Sequence, residues 1–331
     1  MKILVSILFS GFFLFLAFKN IDLGSFWISL QSTSWFLIFF ASAMAIVSMW
    51  LRAWRWQKIL KPLKPIPLNT VFNFTMIGFM GNNVLPAHAG DFGKPYLLGI
   101  KENFDGTAAL ATVLIERLLD SVGMIIILLS VVFFAPLPAW LKFALVAAGS
   151  IMLLLIFLLI TLASRNSKLR ESLLNLTAKL PRKFRTKAKE KVSIFLTGLN
   201  IFKNRQNLLP LVGISILTWA HMAFTFFIIM INYPLTIDIG AFDLMVAAVV
   251  TMVILAFAII LPSAPGYVGI TQLAFIFSLA FYGISEADAV GISIIFHLTQ
   301  YIPITAGGIL ILLKEGLSFK QLQGEVRKVE F

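Results

Sequence analysis

Charged residues interrupt an apolar part of this sequence, in the stretch NNVLPAHAGDFGKPYLL at residues 82–98. His88, Asp91 and Lys94 lie there beside prolines and glycines, which end or break helices. A helix that is broken inside a membrane offers free backbone N–H groups and the positive end of its dipole, and both favour an anion. These three side chains are therefore candidate ligands for a phosphate or another charged headgroup. For Asp91, capping of a helix end explains the residue equally well.

A second charged group lies in the apolar segment TVLIERLLDSVGMIIILL at residues 112–129. Glu116 and Asp120 are four residues apart and share one face of a helix, and Arg117 flanks that face. A charge at the centre of a membrane costs about 2.5–3.5 kcal/mol on the insertion scale, so such groups pair or line a cavity. The second acid could pair with Lys94 or another base, or carry a proton. An internal salt-bridge network and a direct contact with substrate are equally good interpretations of this group.

The helix-breaking motif recurs in the second part of the chain. LPSAPGYVG at 261–269 has the same Leu-Pro-x-x-x-Gly-x-x-Gly spacing as LPAHAGDFG at 85–93. Breaks at corresponding positions of two halves are typical of transporters built from an inverted repeat, and a chance match is the alternative. Gln272 and His297 follow the second motif and complete the candidate site. The motif positions that the two stretches share are Pro86, Gly90, Gly93, Pro262, Gly266 and Gly269.

No metal or cofactor is expected from these residues. The three histidines are scattered without an HExxH pattern, and the chain has no cysteine for disulfides or thiolate ligands. The P-loop pattern GxxxxGK[ST] does not occur either, so the sequence gives no support for direct use of ATP.

The elements that carry these residues are predicted to be membrane helices. The 331 residues are 59% hydrophobic and 13% charged, with a mean hydropathy of +0.94. Several apolar runs of about 18 residues or more are long enough to cross roughly 30 Å of hydrocarbon. The predicted fold class is therefore an all-α polytopic integral membrane protein, placed in the cell membrane. We interpret its first apolar run, residues 3–18, as a retained helix rather than a signal peptide.

Basic stretches set the predicted topology. Residues 52–67 and 164–206 are rich in Lys and Arg, so the positive-inside rule places both in the cytoplasm, together with both chain termini. An even number of crossings must separate the two stretches, and two long apolar runs between them already supply two. Residues 68–100 are therefore predicted to form a re-entrant helical hairpin. By the same reasoning, residues 243–282 form a second re-entrant hairpin that enters from the outside.

Three regions follow from this topology. The first membrane half covers residues 1–163, a basic amphipathic linker covers residues 164–206, and the second membrane half, of opposite topology, covers residues 207–331. The linker is expected to lie on the inner leaflet with its Lys and Arg on anionic lipid headgroups. Anchoring and topology account for its charge, so we predict no nucleic-acid site there.

Five motifs occur in an order that resembles a known family. They resemble the flippase-like transmembrane domain of lysylphosphatidylglycerol synthases and its stand-alone bacterial and archaeal relatives, over nearly the whole chain. The resemblance implies translocation of a lipid between leaflets, and we expect a stand-alone member without the soluble aminoacyl-transferase domain. The family commonly has Arg in place of His88, Glu in place of Gln272 and often Arg in place of His297. The motifs are RAWRWQKIL (52–60), NNVLPAHAGDFGKPYLL (82–98), ATVLIERLLD (111–120), LPSAPGYVGITQLAF (261–275) and FHLTQYIPITAGGI (296–309).

Three hypotheses for function remain open at this point. The leading one is translocation of a phospholipid or an isoprenoid-type lipid, whose headgroup passes through a polar cavity between the two hairpins. The second is a membrane enzyme that acts on a lipid-linked phosphate or sugar, with His88, Asp91 and Glu116 as acid–base groups. The third is a lipid-binding scaffold for a separately encoded synthase. A homo-oligomer is compatible with all three.

Overall fold

The computed structural model describes most of the two predicted membrane halves. It describes residues 33–85, 89–104, 106–163, 205–259 and 265–317, together with residue 31 and isolated positions between 171 and 192. Several of the features predicted above lie outside the described residues, so their predictions stand as made. These are Pro86, His88, Pro262, the apolar run 3–18, most of the linker 164–206 and the C-terminal residues 318–331.

The described residues form nine α-helices and no strand, which confirms the all-α fold class. Four of them, α1, α6 over Leu208–Ile231, α7 and α9, are long and apolar enough to cross a membrane. Two short 3-10 turns, Pro265–Tyr267 and Ala280–Tyr282, flank α8. The helices are α1 (Trp35–Leu60), α2 (Leu68–Val84), α3 (Ala89–Glu102), α4 (Gly106–Val131), α5 (Ala139–Ala163), α6 (Arg205–Ile231), α7 (Ala241–Ala258), α8 (Ile270–Leu279) and α9 (Glu286–Lys314).

Both predicted helix breaks are present, each for a local reason. Helix α2 ends at Val84, and the backbone of the next residue, Leu85, is extended (φ −103°, ψ 147°), as expected for a residue that precedes a proline. Between α7 and α8, Gly266 and Gly269 have φ values of +75° and +87°. Glycine adopts this left-handed region without a steric penalty, whereas a residue with a Cβ does not. Each break therefore separates two helices that pack side by side, α2 with α3 and α7 with α8.

The packing of the helices has a two-fold pattern. The pairs α1–α2, α1–α4, α1–α9, α2–α3, α2–α9 and α3–α4 are all in contact. If α1, α2, α3 and α4 are exchanged with α6, α7, α8 and α9, each of these pairs corresponds to another pair that is also in contact. The corresponding pairs, in the same order, are α6–α7, α6–α9, α4–α6, α7–α8, α4–α7 and α8–α9. The α1–α6 pair maps onto itself. This is the packing that two repeated halves produce, and the opposite orientation of the halves in the membrane stays a prediction.

The two hairpins meet at their tips. Helix α2 packs against the 3-10 turn Pro265–Tyr267, and an added Cβ on Gly266 would lie 3.4 Å from the carbonyl oxygen of Asn83. The Asn83 amide also donates to the Thr305 hydroxyl of α9 (2.9 Å). The end of α2 is therefore fixed against the second half of the chain, next to the helix break.

Candidate functional site

Seven charged side chains from three helices gather inside the first half, and we call them the ionic cluster. Each helix contributes residues three or four positions apart, so they lie on one helix face. All are buried except Arg117, whose side chain is 45% exposed. The members are Arg52 and Arg55 of α1, Asp91 and Lys94 of α3, and Glu116, Arg117 and Asp120 of α4.

Lys94 and Glu116 form a buried ion pair within the ionic cluster. The Lys94 ammonium lies 2.6 Å from Glu116 Oε2, and the two side chains are 2% and 6% exposed. The ammonium also lies 4.4 Å from the ring centroid of Trp56, a cation–π contact. Gly78 makes room for this arrangement, because an added Cβ there would be 2.8 Å from Lys94 Cδ. For Glu116, the structure therefore has the pairing with Lys94 that was one of the alternatives left open for the acids of α4.

Asp120 is held by arginines from two helices. Arg55 Nη2 lies 2.8 Å from its Oδ1, and Arg52 Nη1 and Arg117 Nη1 lie 3.4 and 3.6 Å from its Oδ2. Arg55 also donates to the Ser215 hydroxyl of α6 (2.9 Å), so it joins the two halves of the chain.

Arg52 and Arg55 are site residues that the sequence analysis missed. Their place in a basic stretch after an apolar run predicted the cytoplasm for them, whereas α1 continues through them to Leu60. Their spacing in the sequence was the usable signal. Two arginines three residues apart, together with the neighbouring Ala53 and Trp56, form one face of a continuing helix. Two acids four apart on α4 provide the matching face.

Asp91 lies in the first turn of α3 and contacts both Arg117 and Asn82, and its role as a headgroup ligand stays a prediction. Its Oδ2 accepts from Arg117 Nη2 at 2.5 Å, so it belongs to the ionic cluster. Its backbone N–H donates to Asn82 Oδ1 and its Oδ1 accepts from the Asn82 amide, both at 3.1 Å. Asn82 therefore satisfies a free N–H group in the first turn of α3, where a carboxylate is also favoured by the helix dipole. Asp91 links the helix break to the exposed Arg117.

The predicted site residues of the second half have other contacts. Gln272 Oε1 accepts the backbone N–H of Gly269 (2.8 Å) and so caps the start of α8. The His297 ring packs on the Tyr301 ring, with centroids 5.8 Å apart, and the Tyr301 ring lies beside Gly266. The structure places these residues around the second break and the charged residues around the first. Among the described residues, no three His, Asp or Glu side chains group as metal ligands.

Tyr267, in the turn at the second break, is a residue of the second hairpin that comes near the ionic cluster. It lies within electrostatic reach of Asp91 and Arg117. Asp91 and Arg117 are therefore members of the ionic cluster that lie towards the second break.

A smaller polar group, which we call the α9 end group, joins the other end of the first hairpin to the end of α9. Glu315 Oε1 accepts from the Asn73 amide (2.8 Å), and its other oxygen is paired with Lys101. Burial raises the pKa of Glu315, but the hydrogen bonds from Lys101 and Asn73 outweigh burial, so the pKa lies below its ordinary value.

Comparison with known proteins supports one family for this chain. The family described as lysylphosphatidylglycerol synthase TM region matches residues 3–308, which include both helix breaks and the whole ionic cluster. A UPF0104 membrane protein of Methanocaldococcus jannaschii is 27% identical over 251 residues, which cover 74% of this chain and 98% of that protein. The protein is thus a multi-pass membrane protein with a function related to membrane lipids. The chain belongs to the family of lysylphosphatidylglycerol synthase transmembrane regions.

Proposed function

We propose that this protein moves a polar or phosphate-bearing lipid between the two leaflets of the cell membrane. The headgroup passes the exposed side of the ionic cluster, between the two hairpin tips, while the hydrocarbon chains stay in the bilayer. The observation that carries this proposal is the position of Arg117. It is the exposed member of a buried charge network, and it is bonded to Asp91 at the helix break.

Stability alone is a weak explanation for the ionic cluster. Charged groups inside a membrane are expensive, and replacing a buried ion pair with apolar residues of similar volume is often neutral or stabilising. The ionic cluster therefore favours a role in which a polar group must enter the membrane. A lipid headgroup fits this role, because the family is related to membrane lipids.

The two hairpins supply the second part of the proposal. We propose that they are re-entrant and belong to two halves of opposite topology, with both termini and the basic linker in the cytoplasm. The matching Gly/Pro breaks and the two-fold packing of the helices support this arrangement. Non-helical backbone at membrane depth persists only where protein or water surrounds it, so the meeting tips are the natural place for a polar path.

We propose transport rather than a covalent reaction on the lipid. Asp91, Glu116 and Asp120 each already accept from a cationic side chain, at 2.5, 2.6 and 2.8 Å. A carboxylate held in this way is poorly placed to act as a general base, which needs access to a proton of the substrate.

Leaflet exchange in reconstituted vesicles tests the proposal. Purified protein is inserted into liposomes that carry a trace of lipid labelled on an acyl chain, and a membrane-impermeant reductant bleaches the label in the outer leaflet. We expect the protein to increase the fraction and rate of bleaching for at least one polar lipid. Equal rates in vesicles with and without protein, across anionic, zwitterionic and isoprenoid headgroups, would contradict the proposal. Mass spectrometry of the recovered lipids checks that none has been altered covalently.

A further inference from the structure

We infer that Tyr267, in the turn at the second helix break, is a headgroup-binding residue whose hydroxyl donates a hydrogen bond to a phosphate oxygen held by Arg117. This inference rests on the proposed function and adds a contact from the second hairpin to the same site. Any phosphate-bearing headgroup can accept this bond, including one that also carries an amino group.

Tyr267 has a backbone conformation that is unfavourable for a tyrosine. Its φ value is +60°, and the nearby Gly266 and Gly269 have φ values of +75° and +87°. This left-handed region suits glycine, but it brings the Cβ of another residue too close to the backbone. Among the described residues, Asn103 is the one other residue besides glycine with a positive φ, and asparagine tolerates this region better than most. A glycine would therefore fit position 267 more easily than the tyrosine that is there.

The turn is held in this shape by the helix that follows it. The Thr271 hydroxyl donates to the carbonyl oxygen of Tyr267 (2.9 Å), and Gln272 Oε1 accepts the backbone N–H of Gly269 (2.8 Å). A strained residue persists only where its surroundings fix it, and such residues gather at functional sites. The strained turn therefore points to a use for the Tyr267 side chain.

Residues of the first hairpin connect this turn to the ionic cluster. Helix α2 packs against Pro265–Tyr267, and an added Cβ on Gly266 would lie 3.4 Å from the carbonyl oxygen of Asn83. The preceding residue, Asn82, is hydrogen-bonded through its side chain to Asp91 in the first turn of α3. Two neighbouring residues of α2 therefore link the strained turn to a carboxylate of the ionic cluster.

The Tyr267 side chain is partly buried and lies within electrostatic reach of both Asp91 and Arg117. The Arg117 side chain is 45% exposed, and its planar guanidinium is a fork of N–H donors that suits a phosphate. A phosphate oxygen that the arginine does not use can accept from a phenol, and a hydrogen bond to a charged group is strong. A phosphate bound to Arg117 is therefore held by residues of both hairpins.

The melting temperature in detergent micelles measures binding of the headgroup. The probe is a short-chain phosphatidylglycerol, and the control ligand is the matching diacylglycerol, which has the same chains without the phosphate. A ligand that binds the folded protein raises its melting temperature. We expect phosphatidylglycerol to stabilise the wild type more than diacylglycerol does. Tyr267→Phe should need about tenfold more phosphatidylglycerol for the same rise, because one hydrogen bond to a charged group is lost.

Three variants separate this contact from a structural role. Tyr282→Phe removes a buried hydroxyl that has no hydrogen-bond partner among the described residues, beyond the other end of α8, and should keep the wild-type response. Tyr267→Gly relieves the strained backbone and removes the side chain, so this protein should fold and bind phosphatidylglycerol at least about tenfold more weakly. Asn103→Gly relieves the other left-handed residue, just after α3, and should leave binding unchanged.

Leaflet exchange of acyl-labelled phosphatidylglycerol is measured with the same proteins. Tyr267→Phe should slow it by about tenfold, and Tyr282→Phe should exchange it at the wild-type rate. Equal binding and exchange in Tyr267→Phe and the wild type, or a wild type that both ligands stabilise equally, overturns this inference and leaves the proposed function standing. Absence of protein-dependent exchange in the wild type, for every headgroup, overturns the proposed function itself. If Tyr267→Gly does not fold, the comparison of Tyr267→Phe with Tyr282→Phe still decides.

Discussion

Removing one partner of the buried Lys94–Glu116 pair should destabilise the protein more than removing both. The two side chains are only 2% and 6% exposed, and their charged atoms are 2.6 Å apart. A charge that loses its partner at such a site cannot be rehydrated without opening the packing of α3 against α4. The double variant Lys94→Met with Glu116→Gln leaves a methionine and a neutral amide in place of the two charges. Gly78 keeps the space that the long side chain at position 94 occupies.

The structure also predicts that the two single variants differ. Breaking a buried pair typically costs about 3–5 kcal/mol. After Glu116→Gln, the Lys94 ammonium keeps its contact with the Trp56 ring at 4.4 Å, which offsets about 2 kcal/mol of that loss. We therefore expect Glu116→Gln to cost about 1–3 kcal/mol and Lys94→Met about 3–5 kcal/mol. The double variant should cost no more than about 2 kcal/mol, because replacing a buried pair is often nearly neutral.

A double-mutant cycle in detergent micelles measures these differences. Unfolding is driven by a denaturing detergent and followed by tryptophan fluorescence, and the free energies of unfolding of the four proteins are compared. We expect a coupling of at least about 2 kcal/mol between the two positions. Additive single and double variants, or a Glu116→Gln protein less stable than the Lys94→Met protein, would show that the reasoning about this pair is wrong.

Three further predictions concern close packing and pH. Gly90→Ala should cost about 3 kcal/mol or more, or prevent folding, because its Cβ would lie 1.8 Å from the carbonyl oxygen of Gly78; size-exclusion chromatography and unfolding in detergent check this. Gly213→Ala in α6 meets no atom within 4 Å and should be neutral or stabilise by up to about 1 kcal/mol in the same measurement. Glu315→Gln should lower the free energy of unfolding by roughly 1 kcal/mol or less at pH 7, since the partner Lys101 is partly exposed. Because the folded pKa of Glu315 is depressed, this difference should be present above its ordinary pKa and disappear as the pH falls through the lowered value.

Local patterns were sufficient to predict most of the helices and both breaks. The apolar run at 68–85 became α2, which ends at Val84 because Leu85 precedes a proline, and the run at 139–163 became α5. The role of Gln272 was also within reach of the sequence, since a glutamine three residues after Gly269 is the spacing of a helix cap.

Partners across helices could not be predicted in the same way. Arg52 and Arg55 follow an apolar run. The positive-inside rule places such basic residues in the cytoplasm, unless a buried acid pairs with them inside the membrane. That acid is Asp120, which is 65 or more positions away in the chain, so only the packing of α1 against α4 reveals the pairing. The sequence showed that the charges of α4 needed partners, and the tertiary structure decided which ones they had.

The rate of leaflet exchange in an Arg117→Gln protein shows whether the lipid headgroup passes the ionic cluster. Lys142→Gln is the matched control, because it makes the same exchange of a base for an amide at a partly exposed position outside the ionic cluster, near the turn between α4 and α5. We predict that Arg117→Gln slows protein-dependent exchange of an acyl-labelled phosphatidylglycerol by about tenfold or more, and that Lys142→Gln exchanges it at the wild-type rate. Equal rates for a folded Arg117→Gln protein and the wild type would contradict the account, because the headgroup would then cross the membrane without meeting the ionic cluster.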